Sequence, residues 1–494
     1  ASKHFVIALE QSEDPISYHP HMASDADSLL VLSGLYEGLF SHDPVTAEPI
    51  LAMASSVKTS ADNLTWTIKL RDSLAFSNGD PIIAQTFVDS WLWLLSLSRQ
   101  GNVASMASLL DAVVGANDYR LKQGDAKGVG FTAVGRDTLI ITLQTPAPYL
   151  PGVLALPAFA PIHPSERNIA NSNHIIDKIV PGPYRLAPSE QDNILLEKNP
   201  WYYDYESVAS DYITFIRNQD AQKRADSYAQ GNIDWSTAYI PLQAVTDRRD
   251  LRLAAQYASA FFYFSAADGP YAEPLVRQAL ASLIPWRDLR AESGQLFLTD
   301  RLVPFDEQQE SGQPAALNES AYALLERAGY PRGAGLPVLT MAIHRGTQIE
   351  QTAHRIADIW SEALGLTVVL DVVPLGVYSH DPSQSPYDFA FITWIGDFMD
   401  PFAFLHLWSG DSSYNLGNLV DPVFDSLVRQ AMSASDENTH LQLYREAERR
   451  LLDSAAVIPM HHGISSNYVA TERVSGWYAN LLDIHPLKNL GASR

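Results

Sequence analysis

Hydrophobic positions along this chain change period several times, and each change marks an element. Residues 64–71 (LTWTIKLR) alternate apolar and polar, which predicts a half-exposed strand, and Ser77-Asn78-Gly79-Asp80-Pro81 after them is turn chemistry. Residues 84–97 then place Phe87, Val88, Trp91, Leu94 and Leu95 at helical spacing, a face that reads as ordinary core. Near the start, residues 3–9 (KHFVIAL) predict a short strand, followed by an irregular stretch over 12–27 and an apolar run over 29–40. Pro181-Gly182-Pro183-Tyr184 predicts a turn entering a strand, and Glu197-Lys198-Asn199-Pro200 another turn.

The second half is more regular. Val276, Ala279, Leu280 and Leu283 recur at i, i+3, i+4, i+7, and residues 321–328 form a second short helical pattern closed by Gly329. Residues 336–344 predict a strand, and 349–364 a helix with Ala353, Ile356, Ile359, Trp360 and Ala363 inward, stopped by Gly365. Residues 366–373 and 387–395 (YDFAFITWI) predict two more strands. Strand, helix and strand at this spacing form a βαβ unit, which implies a parallel pair in a mostly buried sheet. Asp421-Pro422 supplies an N-cap and an N1 proline for a helix with Phe424, Leu427, Val428 and Ala431 on one face, and 437–452 is a last long helix. No internal repeat interrupts this order. The pattern predicts a mixed α/β chain with several lobes.

One stretch changes the picture only briefly. Residues 138–165 contain no Asp, Glu, Lys or Arg, longer than the roughly 20 residues a spanning helix needs. Prolines at 146, 148, 151, 157, 161 and 164 forbid a continuous helix in lipid, so a strand and a buried, proline-stiffened connection are expected instead. The 494 residues are enough for two to four domains. Their formal charge of −23 disfavours nucleic acid and anionic lipid as partners and favours cationic ligands. Cysteine is absent, which excludes thiolate catalysis, thiolate zinc sites and disulfides and suits an oxidising extracytoplasmic space. The chain opens at Ala1-Ser2-Lys3-His4 without an apolar signal segment and reads as a mature or trimmed form.

Catalytic signatures are sparse. The sequence has no G-x-S-x-G elbow, phosphate-binding loop or H-E-x-x-H pair, and Gly128-x-Gly130 lacks the third glycine of a dinucleotide site. Asp397 and Asp400 are close in sequence, which in an acidic protein is weak support for paired-carboxylate hydrolysis. His19-Pro20-His21 and His461-His462 are the tight histidine clusters. Neighbouring strand residues face opposite ways, so one buried and one solvated histidine is expected at 461–462 rather than a metal site. Trp394-Ile395-Gly396-Asp397 ends a strand, where glycine would let another backbone approach and an aspartate would sit where open α/β sheets bind ligands. A helix cap or surface turn explains that aspartate equally well.

At these residues the chain resembles the extracytoplasmic solute-binding proteins of peptide-importing ABC transporters, the oligopeptide/dipeptide-binding family. The matching elements are Leu35-Tyr36-Glu37-Gly38-Leu39-Phe40, Trp66 to Arg71, Phe76 to Pro81 with Phe87 and Trp91, Gly182 to Leu186, Glu197 to Tyr202, Val276 to Leu280, Ala323 to Tyr330 and the block from Trp394 to Pro401. Their order and spacing cover about residues 5–490.

The resemblance implies an α/β, three-lobed periplasmic-binding-protein-like fold with mixed sheets and a hinge between two ligand-clasping lobes. Lobe I would comprise 1–43, 160–250 and 466–494, lobe II 44–159 and lobe III 251–465. It further implies capture of short peptides whose backbone pairs like an added strand, and delivery to the membrane permease of an ABC importer. Asp397 matches the carboxylate that pairs with the peptide α-ammonium. Thr393, Trp394 and Ile395 match the pairing edge, Gly396 beside them is a further ligand-binding candidate, and Ser24, Asp25 and Ala26 fall where opposing contacts are expected. No catalytic residue, cofactor, metal or nucleic acid is implied, and a monomer is expected in the periplasm or another extracytoplasmic space, free or lipid-anchored before trimming. Two departures, His19-Pro20 where the family has Asp-Pro and Met460-His461-His462 where aromatics are common, keep a nickel-type metal chelate, haem or another small solute as the alternative ligand.

Overall fold

A computed structural model describes the chain except residues 1–2, 11–14, 24, 101–104, 170–176, 190–191, 218, 246, 266, 305–319, 374–385, 411, 413, 435 and 494. Contacts divide it into two compact units, residues 1–256 with 464–494, and residues 257–463. The long strands Leu251–Phe264 and Val457–Val469 each run from one unit into the other, so the chain crosses twice.

In the first unit the apolar strand His4–Ala8 lies between two parallel neighbours, Tyr212–Ile216 and Trp235–Ser236. Ile194–Lys198 and Tyr184–Ala187 add antiparallel strands beyond Tyr212–Ile216, so the sheet is mixed. Four of the five residues of His4–Ala8 are buried, as expected of a strand covered on both faces. Its core joins Phe5, Ile7, Ile213 and Phe215 to Leu32 and Leu35 of the helix Ala26–Leu35.

A second, antiparallel sheet orders Ala54–Thr59, Thr65–Leu70, Thr138–Thr142 and Phe131–Val134. The helix Ala84–Arg99 starts where the Thr86 hydroxyl accepts from the Ile83 N–H, and Phe87, Val88, Trp91, Leu94 and Leu95 are all buried. Trp91 Nε1 donates to the Phe159 carbonyl at 2.9 Å, and Ser90 Oγ accepts from the Ile162 N–H at 2.8 Å. These bonds explain the charge-free stretch: it is a strand followed by short turns packed against this helix. Among the described residues no helix is long and apolar enough to cross a membrane.

The second unit carries the βαβ unit. Leu339–His344 pairs in parallel with Val368–Val373, and the helix Thr347–Leu364 connects them. Ala353, Ile356 and Trp360 are fully buried, and Gly365 caps the helix in the left-handed region at φ 65°. One expectation is corrected: none of the residues of Val368–Val373 is buried, because among the described residues it has a strand neighbour on one side only. Asp421 caps the helix Pro422–Ser433 by accepting from the Val423 and Phe424 N–H groups, and Glu437–Asp453 follows.

Candidate functional site

The strand Phe389–Ile395 begins buried and ends exposed, and its neighbours explain why. Along one side it pairs with the 258–264 part of Leu251–Phe264 over its whole length, from Phe264↔Phe389 to Ala258↔Ile395. Along the other, Leu339–His344 pairs with it only at Phe389 and Ala390. Among the described residues, 391–395 therefore keep one edge without a strand partner, and an open edge is a template for an added strand.

Thr393 and Ile395 are exposed on this edge, while Trp394 points to the opposite face and is anchored. Its Nε1 donates to the Ala403 carbonyl at 3.0 Å, and Tyr414 packs edge-on against its ring at 5.0 Å. Gly396 follows. A Cβ on it would lie 2.6 Å from the Tyr257 ring and 3.1 Å from Phe404, so the glycine makes room for aromatic packing within the unit. Its N–H donates to the Tyr257 carbonyl at 2.8 Å, which fixes where the next residue begins.

That next residue is Asp397. The residue is partly buried, yet its Oδ2 is shielded from solvent and has no hydrogen-bond partner among the described residues. Burial pushes its carboxyl up to about 7. Asp400, by contrast, is committed: Oδ1 accepts from the Phe402 N–H at 2.8 Å and Oδ2 lies 3.3 Å from His440 Nε2. Burial opposes charging of His440, but Asp400 and the Ala431 carbonyl outweigh it, so its pKa rises. Asp400 is thus held by partners within the unit, whereas Asp397 Oδ2 has none among the described residues. Sequence reasoning missed His440 and Tyr257, whose roles depend on contacts with no local signature.

In the first unit, Asp25 is the N-cap of Ala26–Leu35, its Oδ1 accepting from the Ser28 N–H at 2.8 Å. Asp25 and Ala26 are exposed; Ser24 lies outside the described residues. Asp27 is partly buried and raised to about 6, chiefly by burial and then by Asp25.

The histidine clusters do not assemble metal ligands. No group of three or more His, Cys, Asp or Glu among the described residues could hold an ion. His461 and His462 are both partly buried, not one buried and one solvated, because the 297–299 segment covers the strand there: His462 N–H donates to the Phe297 carbonyl at 2.8 Å. Burial pushes His462 down to about 4. His19 Nδ1 accepts from the His21 N–H at 3.1 Å, so the proton of the neutral His19 ring sits on Nε2 and leaves no lone pair there for a metal.

The mixed α/β scaffold thus carries, among the described residues, an open strand edge beside a carboxyl whose Oδ2 is shielded and unpartnered. The family model for bacterial extracellular solute-binding proteins, family 5 (middle), matches residues 48–416, and the chain belongs to that family. It is 26% identical over 485 residues to the oligopeptide-binding protein OppA of Bacillus subtilis, covering 94% of this chain and 88% of that protein. It is 24% identical to the dipeptide-binding protein DppE of the same organism, covering 95% and 89%. The solved murein tripeptide binding protein MppA of Escherichia coli superposes with a TM-score of 0.84 at 23% identity, covering 100% of this chain and 99% of that one. Haemophilus influenzae OppA, solved in complex with the peptide RPPGFSPFR, gives 0.84 at 22% identity with the same coverage. These structures share the expected multi-lobed fold with mixed sheets.

Proposed function

We propose that this chain captures short peptides outside the cytoplasmic membrane and delivers them to the permease of an ABC importer, acting as a monomer and without a catalytic step. The observation that supports this most is Asp397: a shielded carboxylate without a partner at the end of an open strand edge. A peptide laid along residues 391–395 would complete the backbone pairing, and its α-ammonium would supply the missing counter-charge. Backbone pairing does not distinguish side chains, so affinity would come with little sequence preference. The same reading gives ligand contacts to Thr393, Trp394 and Ile395 and positions Asp397 through Gly396. It also treats residues 44–159 as a lobe of their own.

Calorimetric titration with a free-amino tripeptide and its N-acetylated form tests this. Asp397→Ala should weaken the free-amino peptide by about 3–5 kcal/mol, the usual cost of removing one partner of a buried ion pair, and the acetylated one far less. Equal losses for both ligands would overturn the assignment.

A further inference from the structure

A second set of unpaired buried groups lies in the first unit, away from Asp397 in sequence and unused by the function proposed above. His19 and His21 are 1% and 4% exposed. Their rings meet edge-on at 5.4 Å, and each lies 5.2 Å from the ring of Trp93 in the helix Ala84–Arg99. Apart from the bond between them, His19 Nε2 and both ring nitrogens of His21 are shielded and have no hydrogen-bond partner among the described residues. Leucine or phenylalanine would fill the space without leaving three polar atoms unsatisfied.

The charges that act most on the pair oppose protonation. After burial itself, the Lys178 ammonium acts against a charged His19; Lys178 is itself buried and held by Glu166 Oε2 at 3.1 Å. His21 is opposed by burial, by His19 and by Arg167. The Glu166 and Ala158 carbonyls favour the charged rings but lie outside hydrogen-bond geometry, and they do not outweigh the rest. His19 is pushed down to about 4 and His21 well below its ordinary value.

The pair is also wired to a helix start. The Met22 and Ala23 N–H groups donate to the His19 carbonyl, Ser17 N–H donates to Ser28 Oγ at 3.0 Å, and Ser28 N–H donates to the Asp25 cap. We propose that His19 and His21 form a proton-operated latch: neutral, they hold residues 15–23 and the first turn of Ala26–Leu35 against Trp93, and on acidification they release them.

The sign follows from linkage. Both rings bind protons more readily once released than when buried, so the closed form loses ground as pH falls from about 6.5 towards 4. Asp27 works the other way. Raised to about 6 by burial, Asp25 and Glu10 against the pull of Arg217, it takes up a proton in the closed form and moderates the release. With two histidines against one aspartate, local opening should rise about tenfold or more between pH 6.5 and 5.

Hydrogen–deuterium exchange by mass spectrometry on the ligand-free chain, with times scaled to the intrinsic rate at each pH, reads this directly. Peptides covering 15–23 and 25–35 should lose protection about tenfold by pH 5, while the strand Thr65–Leu70 keeps its own. His21→Phe, which keeps a ring against Trp93, and the double variant His19→Gln/His21→Phe should flatten the response, with far-UV dichroism at pH 7.5 checking that they fold. The wild-type profile decides if they do not. Protection of 15–35 that is unchanged down to pH 4.5, or lost equally in Thr65–Leu70, or lost equally in folded variants, would overturn the latch.

Discussion

Glu37 and Tyr202, 165 positions apart in sequence, share a 2.5 Å hydrogen bond from the tyrosine hydroxyl to Oε2 of the carboxylate. Lys488 closes the set, donating to Glu37 Oε1 at 2.7 Å and to the Tyr202 hydroxyl at 3.2 Å. Three distant parts of the first unit thus meet at one buried charge pair. Glu37→Ala should cost about 3–5 kcal/mol because it strands Lys488 without its counter-charge. Tyr202→Phe, which leaves the ion pair intact, should cost only about 1–2 kcal/mol. Urea unfolding of both variants measures the difference, and equal costs would mean that the charge pair contributes little.

Asp397 should make the ligand-free protein less stable at alkaline pH. Its folded pKa of about 7 lies above the unfolded carboxyl value, so its contribution is favourable below about pH 4 and is lost as pH rises through 7. Asp397→Asn, which removes the buried negative charge, should therefore stabilise the empty protein at pH 8 and do so much less at pH 4. Thermal melts at the two pH values check this.

The same carboxyl predicts proton release on binding. At pH 6 Asp397 is mostly protonated in the empty protein, and pairing with a peptide ammonium requires it charged. Titrations in buffers of different ionisation enthalpy should show release of close to one proton for free-amino peptides. They should show none in Asp397→Asn.

Two glycines should tolerate alanine unequally. A Cβ on Gly182 would come within 2.7 Å of the backbone of Leu35 and Tyr36, which cannot step aside. On Gly396 it would meet the Tyr257 ring at 2.6 Å, a side chain that can tilt. Gly182→Ala should cost more than the roughly 1–3 kcal/mol typical of overpacking, and Gly396→Ala less than that but with weakened peptide binding, because Asp397 moves with it. Denaturant midpoints and peptide affinities separate the two effects.

The formal charge of −23 should steer cationic ligands. Stopped-flow association rates for a lysine-rich peptide should fall as salt rises and screening shortens to about 8 Å or less, with a neutral peptide scarcely affected. An equal response of both peptides would count against steering by the protein's net charge.

Local chemistry made much of the fold legible. The buried face of Ala84–Arg99, the Asp421 cap, the Gly365 stop and the parallel βαβ pair each depend on residues within a few positions of one another, and each stands where the pattern put it. The family motifs were legible for the same reason, and the physical cause of some of them is now visible in Gly182 against Leu35 and Glu37 against Tyr202. What the chain order could not decide was which groups remain unpaired. That Asp400 is taken by His440 while Asp397 Oδ2 has no partner among the described residues, and that residues 391–395 keep an open edge among them, depend on which groups the rest of the chain brings alongside. So too does the reason for Gly396, which is Tyr257, some 140 residues earlier. Periodicity and caps are written in neighbouring residues; the satisfaction of a hydrogen bond or charge is a property of packing, and packing is settled only when the distant strands meet.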